Sequence, residues 1–365
     1  MPGHRAPPPT GARPDAAMNR AASRPVTDVK GLIGLGLAAA DAATELAAVA
    51  RDFQIRITPA MLAAIGAAGD PVARQFVPST EELVAGADAL PDPIGDGAHQ
   101  PAPGLTHRYP DRVILHVTRT CDVYCRFCFR REVVGESGPL PEADLAAALA
   151  YIRATPAIRE VILTGGDPLT LSLRRLAALC GRIGAIGHVE VIRIHSRGPV
   201  VAPERIDAAL IAALKAVPVV YLVVHANHAN ELTAAARAAL ARLADAGVPL
   251  LAQTVLLRGV NDSAGVLADL FRALVRLRVT PYYLHHCDLA RGTSHFRTTI
   301  AEGQQIMAEL RGRLSGLCLP TYVLDIPGGF GKVPVLPGYV TDTGKGHYLL
   351  RDHQGRVHPY RDPVR

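Results

Sequence analysis

The chain has 365 residues, 49% of them hydrophobic and 20% charged, with a formal net charge of +6. Those values describe a globular chain that can bury one large core; no apolar run is long and clean enough to read as a membrane span, and the basic residues are spread too evenly for a nucleic-acid surface. Six cysteines and no secretory h-region fit a reducing cytoplasm and argue against a disulfide framework.

In chain order, residues 1–27 are rich in Pro, Ala and Arg without apolar periodicity and are expected to form a disordered tail, with Met18 as an alternative start. Residues 28–103 read as a helical region that ends in a turn-rich connector, PDPIGDGAHQPAPG at 91–104. Within it the alanine-rich stretch 32–50, interrupted by Asp41 and Glu45, predicts an amphipathic helix. From 104 to 316 the pattern alternates: runs rich in β-branched residues at 113–118, 160–164, 189–195, 219–225, 249–257 and 279–285. The first five each lead into a helical stretch, and AEGQQIMAELRGRLS follows the sixth after a longer loop. Strand then helix, repeated with right-handed crossovers, predicts an α/β fold with parallel βα units, a partial (βα)6 TIM-like barrel. Residues 317–365 form a separate C-terminal segment.

A barrel collects its functional groups at the carboxyl ends of its strands. Cys121, Cys125 and Cys128 follow the first expected strand, Gly165, Gly166 and Asp167 the second, Ser196 and Arg197 the third. His225 and Asn227 end the fourth, Gln253 lies within the fifth, and Asp288 follows the sixth. Alone, GGD would be a turn and a strand-end Asp a helix cap; their recurrence on one rim is the signal. The cysteines stand in CxxxCxxC spacing and offer three thiolates to an iron–sulfur cluster that takes four ligands, which leaves one iron open to a substrate. Structural zinc would need a fourth closed ligand, and the next cysteine, Cys180, is far away in sequence. Cys180, Cys287 and Cys318 read as small buried hydrophobes.

With Phe127 before the last cysteine, this loop resembles that of the radical S-adenosylmethionine (SAM) superfamily. Within it, HRYPDR, CRFCFRR, TGGDPL, IHSR, HANHANE, QTVLLRGVND, CDLARGTSHFRT and PGGFGK, in order across 104–360, are similar to the lysine 2,3-aminomutases. CFRR, IHSR and NHANE resemble the subgroup that makes β-lysine for elongation factor P. The resemblance implies a 4Fe-4S cluster on the three cysteines. It implies SAM with its ammonium on Gly165, Gly166 and Asp167 and its other polar groups steadied by Ser196 and Arg197. It implies pyridoxal 5'-phosphate (PLP) attached to Lys332, with the phosphate on Arg108 and Arg112 and further cofactor contacts from His225 and Gln253. The substrate implied is L-lysine, its α-carboxylate on Arg130 and its distal ammonium on Asp288 and Asp325, isomerised to β-lysine. A flavodoxin or ferredoxin is the implied reductant, a homo-oligomer is compatible, and no cysteine after Cys318 corresponds to the zinc cysteines of longer relatives.

Taken by themselves, Lys332 reads as an exposed lysine in a Gly-rich loop and Arg108 and Arg112 as surface cations. Two buried carboxylates without a cationic partner are costly, so the acidic pair favours a cationic amino acid over glutamate. The alternatives are an aminomutase for arginine or glutamate and a non-catalytic iron–sulfur electron-transfer protein. The last would need neither GGDP nor Lys332.

Overall fold

A computed structural model describes residues 24–363 apart from 85, 136, 137 and 218. Residues 1–23 of the expected tail lie outside the described residues; its last part does not behave as a tail, because Val26 pairs with Ile57 through two backbone hydrogen bonds of 2.9 Å. The helical region consists of α1 (Val29–Gly34), α2 (Ala43–Asp52) and α3 (Pro59–Ala64), followed by short 3₁₀ turns. The single helix expected over 32–50 is therefore broken. Gly36, at φ +69°, turns the chain after α1, a conformation that residues with a Cβ enter at a cost.

The main sheet has nine strands in the order β1 to β9, which is also their order in the chain. β1 (Leu105–Tyr109) lies antiparallel to β2 (Arg112–Thr118). β2, β3 (Glu160–Gly165), β4 (Val191–Ser196), β5 (Val220–His225), β6 (Leu250–Val255), β7 (Thr280–His285) and β8 (Thr321–Asp325) are parallel. β9 (Lys332–Pro334) closes the edge antiparallel to β8. The six expected strands are thus β2 to β7, and the barrel is partial, as expected. β1, β8 and β9 are additions to that expectation.

α4 (Glu142–Ala154), α5 (Leu173–Gly184), α6 (Gly198–Val201), α7 (Ala208–Lys215), α8 (Ala234–Asp245), α9 (Ala264–Arg276) and α10 (Ile300–Leu310) form the crossovers. α5 shows why: Ser172 caps Arg175 N–H, and Leu176, Leu179, Cys180 and Ile183 recur at helical spacing and are buried against the sheet. Cys180, Cys287 and Cys318 are all buried, as expected of small hydrophobes. Beyond the barrel, β10 (Val340–Gly344), β11 (His347–Arg351) and β12 (Val357–Arg361) form a separate, largely exposed antiparallel sheet. No helix among the described residues is long and apolar enough to cross a membrane.

Candidate active site

The cysteine loop leaves the carboxyl end of β2 and is bolted to the N-terminal helical region by two arginines. Arg126 reaches Glu82 through Nε (2.9 Å to Oε1) and Nη2 (2.5 Å to Oε2) and donates Nη1 to the Gln54 carbonyl (2.9 Å). Arg131 donates to the same Glu82 and to the carbonyls of Arg126 (3.0 Å) and Gly292 (2.8 Å). Glu82 is 3% exposed and Arg126 1%, so this is a desolvated triad in which two guanidiniums depend on one carboxylate. Burial raises the thiols of Cys121 and Cys128, the latter to about 11, with further upward pressure on Cys128 from Cys125 and on Cys121 from Asp167 and both other cysteines. Three sulfurs close enough to repel one another as thiolates suit a shared cationic metal centre, which relieves that repulsion and displaces the protons.

The GGD turn after β3 is pressed against this loop. Gly166 N–H donates to the Thr118 carbonyl (2.6 Å) and Asp167 N–H to the Thr120 carbonyl (2.9 Å). Gly165 has φ +112°, and a side chain on Gly166 would collide with the Thr120 backbone, so both glycines are required by space and conformation. Asp167 differs from the expectation that its side chain receives an ammonium. Oδ1 accepts from Ser196 Oγ (2.7 Å) and Leu169 N–H (3.0 Å), and Oδ2 from the N–H groups of Arg197 (2.8 Å) and Gly198 (3.1 Å). Four donors fill the acceptor positions of one carboxylate. Asp167 therefore ties the end of β3 to the end of β4.

Ser196 and Arg197 are likewise engaged within the protein. Ser196 Oγ also accepts from Gly198 N–H (2.8 Å). Arg197 donates Nη1 to Cys125 Sγ (2.8 Å) and Nη2 to Gln75 Oε1 and Glu231 Oε2 (2.6 Å each). The Arg197 guanidinium thus sits on a cluster cysteine rather than on open space. His225 ends β5 with Nε2 3.1 Å from Asn227 Oδ1, and burial, then Arg197, depresses its basicity. Gln253 lies within β6 and, like His225, lines the cavity described next.

That cavity, about 670 Å³, is lined by the three cysteines together with Lys332, Arg130, Asp288 and Asp325. Its size is that of a pocket for cofactor-sized molecules. Lys332 opens β9 directly opposite Asp325, the last residue of β8. Its N–H donates to Tyr109 Oη (2.7 Å), and its ammonium pairs with the Asp325 carboxylate, with His285 Nδ1 3.4 Å away. Burial pushes the Asp325 carboxyl up, but His285 and Lys332 prevail and hold it well below the usual carboxylate range. Asp288 is the contrast. Its carboxylate has no hydrogen-bond donor among the described residues, and burial, then the Asp325 charge, pushes it up to about 7. His195 and His285 add two buried Nε2 atoms without partners beside the same space, orphaned polar atoms that suit a polar guest.

Arg130 stacks on Phe129 and gives Nε (3.0 Å) and Nη2 (2.8 Å) to Asp96 Oδ2. Arg108 donates to the Ile94 carbonyl (2.6 Å) and Asp96 Oδ1 (3.3 Å). Arg112 pairs with Asp111 (2.7 Å) and lies over the Tyr109 ring. Arg108, Arg112 and Arg130 all line the cavity, so none of the three is a plain surface cation. Local patterning gives no sign of Glu82, Gln75 or Asp96, whereas Tyr109 and His195 lie inside HRYPDR and IHSR and His285 ends the sixth expected strand. Glu231 lies inside HANHANE, which is the one available pointer to the Arg197 network.

An open parallel βα barrel with CxxxCxxC on the loop after its first parallel strand, pressed against a GGD turn, defines a radical SAM enzyme. Residues 115–271 match the radical SAM superfamily and residues 307–365 a lysine-2,3-aminomutase family model. The L-lysine 2,3-aminomutase of Clostridium subterminale is 44% identical over 317 residues, 86% of this chain and 76% of that protein. The L-lysine 2,3-aminomutase of Acetoanaerobium sticklandii is 45% identical over 85% of this chain and 76% of its own length, and the glutamate 2,3-aminomutase of Clostridioides difficile 38% over 79% and 68%. The chain belongs to the lysine 2,3-aminomutase family, isomerases of the radical SAM superfamily, with the 4Fe-4S cluster and SAM that superfamily uses.

Proposed function

We propose that the chain converts L-lysine to β-lysine with a 4Fe-4S cluster, SAM and PLP. The observation that carries this reading is one cavity that joins three cysteines to a lysine, an arginine and an aspartate that has no ion pair among the described residues. When bound, the cluster with SAM supplies a hydrogen-abstracting radical and PLP an electron-delocalising ring for the migrating nitrogen.

Cys121, Cys125 and Cys128 hold the cluster, and the backbone of Gly165 and Gly166 faces the ammonium of SAM. Lys332 anchors PLP, while Arg108 and Arg112 meet its phosphate. Arg130, whose Nη1 has no hydrogen-bond partner among the described residues, takes the α-carboxylate of lysine. Asp325 pairs with the Lys332 ammonium, and with that amine on PLP its carboxylate would be open to a second cation beside Asp288. The distal ammonium of lysine supplies that cation, which glutamate lacks.

A flavodoxin- or ferredoxin-type protein delivers the electron. The segments CFRR, IHSR and NHANE support elongation factor P as the destination of the product.

The test is an anaerobic assay of reconstituted protein with dithionite, SAM and PLP, offered L-lysine, L-glutamate and L-arginine in parallel. β-Lysine that requires both SAM and PLP is expected. SAM cleavage accompanied by conversion of glutamate or arginine instead would overturn the substrate assignment.

A further inference from the structure

Arg130 and Arg108, read above as ligands of two different anions, share one carboxylate of the chain itself. Asp96 Oδ2 takes Nε and Nη2 of Arg130 at 3.0 and 2.8 Å, and Oδ1 takes Arg108 Nη2 at 3.3 Å. The turn that carries Asp96 is fixed. Asp92 accepts the N–H groups of Asp96 (3.0 Å) and Gly97 (2.8 Å). Gly95, at φ +66°, has no space for a side chain because the backbone of Gly328 and Gly329 fills it, and His99 Nε2 lies 2.9 Å from the Gly329 carbonyl. The same turn therefore touches both the arginine pair and the loop that leads to Lys332.

We propose that Asp96 is a positioning residue: it locks the Nε edge of Arg130 so that the opposite edge meets the α-carboxylate of the substrate. This rests on the lysine reading of the site. The competing role for a carboxylate on Arg130 is a stand-in that leaves when substrate arrives. The geometry disfavours it, because Asp96 is held by its own turn and by Arg108 as well as by Arg130. Two guanidiniums around one carboxylate also remain net positive, so attraction for an incoming anion survives the brace. Without Asp96 the two guanidiniums face each other uncompensated, and Arg130 loses the hydrogen bonds that restrict its long side chain. Against burial, the Arg130 charge holds the Asp96 carboxyl below its usual range, in keeping with an ionised brace.

The experiment titrates PLP-loaded protein with L-lysine and with cadaverine, which carries the same two amines and no carboxylate, and reads the absorbance of bound PLP. Asp96→Ala should raise the half-saturating lysine concentration by about tenfold or more and leave cadaverine within about twofold. Equal weakening of both ligands makes Asp96 merely structural and overturns the proposal. So does tighter lysine binding in the variant, the signature of a competing or repelling carboxylate. Should Asp96→Ala fail to fold, Asp96→Asn takes its place with a kinetic readout: KM for lysine rises with kcat little changed, whereas a fall in kcat at constant KM overturns it. Failure of the underlying reading is separate and visible in the wild type, which would then make no β-lysine.

Discussion

Asp167 and Asp288 are both aspartates beyond the carboxyl end of a barrel strand, both line the same cavity, and they meet opposite fates. Asp167 receives four hydrogen bonds and joins the ends of β3 and β4. Asp288 receives none among the described residues and is pushed up to about 7 by burial and by Asp325. The same division runs through their surroundings. At the cysteine end, Arg126 and Arg131 share Glu82 and Arg197 pairs with Glu231, so this end is preassembled. At the Lys332 end, His195 Nε2 and His285 Nε2 have no hydrogen-bond partner among the described residues, capacity that a polar guest would satisfy. A carboxylate at a strand end is thus a bracket when its acceptor positions are full and a receptor when they are empty.

Substitutions at each end can break that contrast or sharpen it. Cys125→Ala should have the largest effect, complete loss of the iron–sulfur absorbance and of SAM cleavage; a variant that kept both would remove the cluster from this wall of the cavity. Lys332→Ala should abolish the absorbance of protein-attached PLP and reduce β-lysine formation to background while the cluster spectrum survives, which separates the two ends experimentally. Glu82→Gln leaves two buried guanidiniums short of a counter-ion and should cost about 3–5 kcal/mol in denaturant unfolding, with poorer cluster loading. A loss under about 1 kcal/mol, the range of exposed pairs, would mean that the cysteine end is not preassembled as described. Asp325→Asn should weaken lysine binding by about 2–5 kcal/mol with an unchanged cluster spectrum.

The mildest effect is one of pH. Asp288 is ionised above about 7 and loses its charge below it, so lysine affinity should decline as pH falls through about 7. Asp288→Asn should flatten that limb, and a wild-type profile that is already flat there would show that Asp288 has a partner after all.

The strands that carry most of the site were legible because each is a short β-branched run followed by a helical period, and β2 to β7 fall within a residue or two of the runs that mark them. The rim residues were legible because a barrel places strand ends together. β1 was hidden because it is only five residues long and runs into the turn signal of Pro110 within HRYPDR. β9 has three residues, one of them proline, and exists only because β8 offers an edge. Asp96 and Glu82 were illegible for another reason: nothing local marks an acid that matches an arginine tens of residues away. Asp167 shows the opposite error, a motif residue recognised correctly whose side chain faces the scaffold.

In the main sheet every strand pairs with the one made just before it. A polypeptide emerging from the ribosome can therefore extend this sheet one edge at a time, without waiting for a distant partner and without inserting a late strand between two earlier ones. Cys121, Cys125 and Cys128 follow β2, near the start of that sequence, and Lys332 begins β9, its final addition. The order of synthesis thus brings in the three cysteines first and the Lys332 amine last, so nascent chains stalled before β9 have the thiols and the GGD turn in place with no Lys332.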